Sequence, residues 1–242
     1  MFTRILSVPI VLAAAAALSA GGSTTITTVV PSAALEPGIG AVHRKSIDEV
    51  VNLVNQKDWA NADMLCDKVI AEFQKLMTDP RVTYLAFANK AEFEHFKKTN
   101  PRLYKVEWLD HAYGEALHRK AFIAAAQAKY AEGLKHVRNE IANRPYAAIA
   151  QTEHGFILNK LGRPHEALEA YEKAAELSVL YASNRPAHAM SLRGVGFSLI
   201  ELGRLDDASA AFERSLKIEP NNKLAMNELE YIRKLKQKKQ PK

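Results

Sequence analysis

The feature that most constrains this chain is a segment that occurs twice. Leu161-Gly162-Arg163-Pro164-His165-Glu166-Ala167-Leu168-Glu169-Ala170-Tyr171 returns 41 positions later as Leu202-Gly203-Arg204-Leu205-Asp206-Asp207-Ala208-Ser209-Ala210-Ala211-Phe212. In each copy an apolar helix runs into Leu-Gly-Arg, where glycine takes the backbone conformation that ends a helix. A second helix then starts at once, with acidic residues in its first turn. The small residue Ala167 or Ala208 lets the two helices approach. Tyr171 or Phe212, four residues on and on the same face, fills the space beside it. Pro220-Asn221-Asn222 closes the second copy.

This helix-turn-helix unit resembles the tetratricopeptide repeat, a hairpin of about 34 residues ending in proline. Gly155 and Gly196 stand seven residues before the turn glycines Gly162 and Gly203, as in that family, while the usual early tryptophan is Gln151 in one copy and Leu192 in the other. Counting back one repeat length from Ala167 gives Gly133, which places a further unit at about 114–147 with Ala128 at the turn position and Pro145 near its end. Asp58-Trp59-Ala60-Asn61-Ala62 resembles the turn and second-helix start of another unit, at about 43–76, with Trp59 as a core aromatic. Ser46 and Glu49 read as a capping box ahead of a stripe of Ile47, Val50, Val51 and Val54. The resemblance implies an all-α, right-handed superhelix, an α-solenoid, with units at about 43–76, 114–147, 148–181 and 189–222 and a degenerate one at 77–113. Each unit buries its apolar face only against its neighbours, so an array needs about three of them.

The section 77–113 lacks the small-residue positions. From Asp79 to Lys98 and from Pro101 to Ala112 the pattern reads as helix, either a degenerate repeat or an inserted helical pair, with Pro80 and Pro101 suited to first helical positions. Phe87, Phe93, Phe96, Tyr104 and Trp108 make it aromatic. Seven extra residues between Ser178 and His188 are almost two helical turns, which would lengthen a helix that Asn184-Arg185-Pro186 then stops. Leu224, Leu229, Ile232 and Leu235 give a capping helix over 223–238, followed by a basic tail at 239–242.

Arg4 followed by the apolar run Ile5 to Leu18 and then small residues reads as a secretory signal over 1–20, with cleavage anywhere from 20 to 34 and a flexible tether over 21–42. The expectation is an exported protein of the bacterial periplasm, soluble or N-terminally membrane-anchored. Cys66, the single cysteine of the 242 residues, excludes an internal disulfide and reads as a small core residue. The net charge of +6 is matched by Arg233, Lys234, Lys236, Lys238, Lys239 and Lys242. The rest of the chain is balanced, which argues against a nucleic-acid surface and leaves peripheral membrane contact to the N-terminus or the tail.

Family members line a concave groove with the first helix of each unit and use it to hold peptides. The register puts Phe122, Phe156 and Phe197 at one place in successive first helices, where members that clamp a carboxylate have asparagine. This ladder predicts an apolar groove for a protein or peptide partner. His118, Thr152, Asn159, Lys160, Arg193 and Glu201 fall on the same surface and would fix a ligand backbone. The histidines show no metal-binding spacing, and there is no phosphate loop and no Gly-x-Ser-x-Gly. Glu153 and His154, adjacent on a helix, point about 100° apart and do not act as a pair. No catalytic residue, metal or cofactor is expected. The alternative is an envelope scaffold that works through its convex face, the section 77–113 or the basic tail.

Overall fold

The computed structural model describes residues 37–181, 184 and 187–239. The secretory-signal reading of 1–20, most of the tether and residues 240–242 of the tail lie outside them. Ten α-helices are described: α1 (Arg44–Asn55), α2 (Trp59–Leu76), α3 (Lys90–Thr99), α4 (His111–Ala126), α5 (Tyr130–Asn143), α6 (Ala148–Lys160), α7 (Pro164–Leu180), α8 (Ala187–Glu201), α9 (Leu205–Ile218) and α10 (Lys223–Lys239). Two short strands flank α3: β1 (Val82–Ala86) and β2 (Lys105–Leu109). The chain is an α-solenoid of four hairpins, α1/α2, α4/α5, α6/α7 and α8/α9, with α10 packed against α9 at the end.

All four hairpin turns have one geometry. The residues at the turn centre, Lys57, Ala128, Gly162 and Gly203, have φ of 60°, 59°, 70° and 73°. In each, the central N–H donates to the carbonyl three residues back, and the next N–H donates to the carbonyl five back, as in Lys57 to Val54 and Asp58 to Leu53, both within 3.0 Å. These paired bonds satisfy the carbonyls left over at the end of the first helix. Glycine suits two of the turns, while lysine and alanine are forced into the left-handed region in the other two because the packed helices fix the turn.

Behind each turn lies a matched pair of side-chain positions at constant spacing: Val50 with Cys66, Ala121 with Val137, Gly155 with Tyr171 and Gly196 with Phe212. Where the first member is glycine, the second is an aromatic ring, and every member that carries a side chain is exposed by 5% or less. A Cβ on Gly155 would stand 2.8 Å from the Tyr171 ring, and one on Gly196 2.6 Å from that of Phe212. Cys66 is thus the first hairpin's counterpart of an aromatic residue, and burial, with Asp63 adding to it, pushes its thiol up to about 12.

The section 77–113 corrects the helical reading of Asp79–Lys98 and Pro101–Ala112. It is a β-α-β unit whose strands run parallel, with Val82 opposite Lys105 and Ala86 opposite Leu109. Val82, Thr83, Tyr84, Val106 and Trp108 suit a pleated, half-buried surface, and such short apolar runs do not settle the period. Pro80 and Pro101 sit in the turns that precede the strands. Nor does this section hold a repeat place. The turn centres Lys57 and Ala128 are more than twice as far apart in sequence as Ala128 and Gly162, yet α2 packs directly on α4. Lys120 of α4 pins that contact, its Nζ 3.0 Å and 2.8 Å from the carboxylates of Asp63 and Asp67 on α2. The unit is looped out between adjacent hairpins.

Two anchors hold it. Ile39 joins the outer edge of β2, its N–H donating to the Trp108 carbonyl and its carbonyl accepting from Asp110 N–H. The buried Asp110 carboxylate accepts from Gly38 N–H, Ala112 N–H and the Arg44 guanidinium at 2.7 Å, so it caps α4 and ties down α1 together. Helix α1 therefore starts at Arg44, two residues before Ser46, and the capping box expected at Ser46 and Glu49 does not form because no side chain caps this helix. The second anchor is aromatic. His95 and Phe96 of α3 meet Tyr146 edge-on, His95 also meets Tyr181, and Tyr146 lies 4.7 Å from Tyr181. Asn184 stitches the same corner, donating to the Tyr146 carbonyl and accepting from Ala148 N–H. The extra residues between the last two hairpins therefore serve this seam. Helix α7 stops at Leu180, earlier than Asn184, since Tyr181 turns extended to stack on Tyr146.

Candidate functional site: the face of the first helices

Three positions of each first helix, spaced i, i+4 and i+7, share one face. On α6 they are Ile149, Glu153 and Phe156, on α8 Met190, Gly194 and Phe197, and on α4 Glu115, Arg119 and Phe122. Helix α10 continues the register one repeat length beyond α8 with Leu224, Glu228 and Tyr231. The aromatic ladder thus has a fourth rung, Tyr231, which the sequence reading misses because it treats 223–238 only as a cap. The spacing from Phe197 to Tyr231 is the signal that finds it.

All four ladder rings are half-buried. Phe122 packs 6.5 Å from Trp59, Phe156 6.4 Å from Tyr130, and Phe197 5.3 Å from Phe212. One side of each phenylalanine ring belongs to the core and the other to the surface. Ile149, Met190 and Leu224, two turns before the rings, are half-buried as well. Lys160 places its ammonium 5.5 Å above the Phe156 ring, and burial holds its pKa below the usual lysine value.

The polar residues expected on this surface are largely committed to partners within the chain. Thr152 is buried, 3.1 Å from the Ser191 hydroxyl. Asn159 donates to Ser198 at 3.0 Å, and these two contacts form parallel rungs between α6 and α8. Arg193 is bound to Glu219 at 2.6 Å. His118 is buried with its Nδ1 3.1 Å from Glu140. Glu201 is exposed at the end of α8.

His118 belongs to an ionic network along the α4/α5 seam. Arg144 binds Glu140 at 2.9 Å and reaches Glu115 at 3.5 Å, and Arg119 and His111 also contact Glu115. Burial pushes the Glu115 carboxyl up, but His111, Arg119 and Arg144 outweigh it and hold it far below the usual range. Burial likewise depresses His118, and the Glu140 carboxylate more than reverses this. Glu153 lies beside the network without such compensation. Desolvation raises its carboxyl to about 7, with the His118 charge opposing and Glu140 adding to the rise. His154, by contrast, is depressed by burial, with Arg138 and Arg163 adding to the effect, so the two neighbours occupy different surroundings. Among the described residues no group of three His, Cys, Asp or Glu is placed to hold a metal ion, and no helix is long and apolar enough to cross a membrane.

Stacked hairpins with one surface lined by successive first helices define a helical-repeat protein. Residues 146–220 match the family model described as tetratricopeptide repeat. The match covers the third and fourth hairpins, α6/α7 and α8/α9. Among solved structures it is similar to PilW, a widely conserved type IV pilus biogenesis factor, at 16% identity, with 80% of this chain and 70% of that chain covered and a TM-score of 0.57. It is also similar to a Podosopora anserina putative kinesin light chain with nearly identical repeats, at 13% identity, 81% and 87% coverage and a TM-score of 0.56. The first repeat domain of Spaghetti, bound to an HSP90 peptide, is 24% identical over 50% of this chain and 91% of its own, with a TM-score of 0.46. No curated protein matches the chain.

Proposed function

We propose that this chain is a non-enzymatic interaction module that holds an extended protein segment on the face of α4, α6, α8 and α10. The observation that carries the reading is the double apolar stripe. Ile149, Met190 and Leu224 run along one side of this face and Phe122, Phe156, Phe197 and Tyr231 along the other, all half-buried, with Glu115 in the first place of the shorter stripe. A ligand side chain inserted between two rungs would finish burying them, and a buried apolar side chain contributes about 1.5–3 kcal/mol, so three together support a micromolar interaction. The same reading takes the chain to be exported through its N-terminal apolar segment and to act in the bacterial periplasm. Release of the mature chain by osmotic shock supports that location, and retention in the cytosol refutes it.

The ladder rings double as core, so the cleaner test is on the other stripe. Ile149 and Met190 lie outside the core cluster that includes Phe156 and Phe197. The full chain and an Ile149→Ser, Met190→Ser variant are used as bait in envelope extract, with captured proteins identified by mass spectrometry and both baits melted in parallel. A partner held by the wild type and lost from an equally stable variant supports the face as the site. Equal capture by both moves the site elsewhere.

A further inference from the structure

The middle position of each stripe, between the apolar residue and the ring, carries the information on ligand chemistry. Along α4, α6, α8 and α10 it reads Arg119, Glu153, Gly194 and Glu228. Arg119 is turned back onto Glu115, its Nη2 3.2 Å from that carboxylate. Gly194 has its Cβ direction filled by the Tyr171 ring, 2.2 Å from where a methyl would stand. The two carboxyls differ from Glu140, Asp110 and Glu115, each of which binds an arginine. Glu228 is only 7% exposed, and its Oε2 is buried with no hydrogen-bond partner among the described residues. Tyr231 lies near it, feeling its charge and that of Glu201. Glu153 has one cation beside it, His118, and that imidazole is already bound to Glu140.

Each of these carboxyls stands one turn before a ladder ring, Glu153 before Phe156 and Glu228 before Tyr231. A carboxylate beside an aromatic face is the environment that takes an ammonium or guanidinium group, because the ring face and the anion attract the same charge. The chain itself provides the example, since Lys160 lies over Phe156. Arg193, the cation of α8 expected on this surface, is neutralised by Glu219. Between α6 and α10 the face therefore presents two desolvated acids that the described residues leave without a bound cation, a state that is unfavourable until one arrives.

We infer that the segment held on this face is basic, an extended peptide in which a lysine or arginine, flanked by apolar side chains, seats against Glu153 or Glu228 beside the rings of Phe156, Phe197 and Tyr231. This rests on the reading of the face as a peptide site and adds the charge of its ligand. It is opposite in sign to the acidic peptide ends that an asparagine at the ladder position would help to clamp.

The probes are three pools of fluorescein-labelled nonapeptides with randomised Leu, Ile and Phe flanks and a fixed central pair of lysine, norleucine or glutamate. They are titrated by fluorescence anisotropy at pH 8 against the full chain, against Glu153→Gln and Glu228→Gln, and against Ile149→Ser with Met190→Ser. The expected order is lysine tightest, at least about tenfold over norleucine, with glutamate weakest. Either glutamine variant should cut the lysine advantage by about threefold or more without moving the norleucine affinity. Loss of all binding in the Ile149→Ser, Met190→Ser variant places the peptide on this face. Equal affinity for lysine and norleucine, lost in that variant, overturns the basic-ligand inference and leaves the peptide site standing. A preference for lysine that survives both glutamine substitutions also overturns it. Failure of all three pools to bind, or binding indifferent to Ile149 and Met190, overturns the site and the inference together.

Discussion

Replacing Glu153 by glutamine should stabilise the protein, and by an amount that depends on pH. The side chain is half-buried on α6, within reach of the charges of His118 on α4 and Glu140 on α5, and Tyr171 of α7 feels its charge in turn. Burial raises its carboxyl from 4.5 to about 7 in the folded protein. A carboxyl that binds its proton more tightly folded than unfolded favours the folded state at low pH. That contribution is fully present below about 4.5, is lost as pH climbs through the interval to about 7, and is flat above it. The full interval corresponds to about 3 kcal/mol, and the partial exposure of the residue brings the expected effect to about 1–3 kcal/mol. Glutamine has the same shape and no charge, so the variant keeps at pH 8 what the wild type loses. His118, raised by Glu140, weakens with rising pH in both proteins and largely cancels in the difference. Urea unfolding of the two proteins at pH 4, 5, 6, 7 and 8 should give equal stabilities at the acid end and a gap that opens between pH 5 and 7. In thermal melts at pH 8 it appears as about 3–10 °C. A variant no more stable than wild type at pH 8, or a gap that is the same at every pH, refutes the burial of an uncompensated carboxyl at this position.

Four other substitutions probe the scaffold. Ala128→Gly and Lys57→Gly each relieve a left-handed residue at a hairpin turn, φ 59° and 60°, and should each raise stability by about 0.5–1 kcal/mol; a loss in calorimetry would mean that the turn relaxes rather than strains. Gly194→Ala puts a methyl 2.2 Å from the Tyr171 ring and should cost about 3 kcal/mol or more in urea unfolding, with an unchanged midpoint showing that α7 and α8 separate freely. Tyr181→Ala removes the ring that meets Tyr146 and His95 and should speed amide exchange in β1, α3 and β2 at least about tenfold while α8 and α9 stay protected; uniform exchange across the chain would show that the β-α-β unit is not an independently opening element.

Much of this architecture was legible because repeats make one observation count several times. Gly162 and Gly203 mark two turns directly, and one repeat length back from Ala167 to Gly133 places a third that carries no glycine. The first hairpin, with Lys57 and Cys66 in place of glycine and an aromatic, was reached through Asp58-Trp59. What stayed hidden is what repetition cannot mark. The parallel strands at 82–86 and 105–109 are single short elements paired across an intervening helix, and in a neighbourhood of helices their pattern reads as helix. Asp110 looks like any helix cap, yet Arg44 and Gly38 converge on it from the far side of the inserted unit. The ladder phenylalanines share one register in sequence and in structure, while the division of each ring between core and surface depends on Trp59, Tyr130 and Phe212, contributed by second helices.

The two irregularities of the array explain one another. A plain solenoid transmits bending because each hairpin touches only its neighbours. Here the unit inserted after α2 reaches past α4 and α5, and His95 and Phe96 grip Tyr146 and Tyr181, which lie at the start of α6 and the end of α7. The contact spans two junctions, and the extra residues after Leu180 are what bring Tyr181 and Asn184 to it. A change in the angle between α4/α5 and α6/α7 must therefore break aromatic contacts at the seam as well as strain the His118–Glu140–Arg144 network beside it. The junction between α4 and α6 thus has this seam in addition to its helix packing, while α8 is tied to α6 through Thr152–Ser191 and Asn159–Ser198 and α10 packs on α9. A ligand seated against Glu153 should therefore bind more weakly when Tyr181→Ala loosens the seam, although Tyr181 is not among the residues that line the face, and an unchanged affinity in the anisotropy titration would refute the link between seam and face.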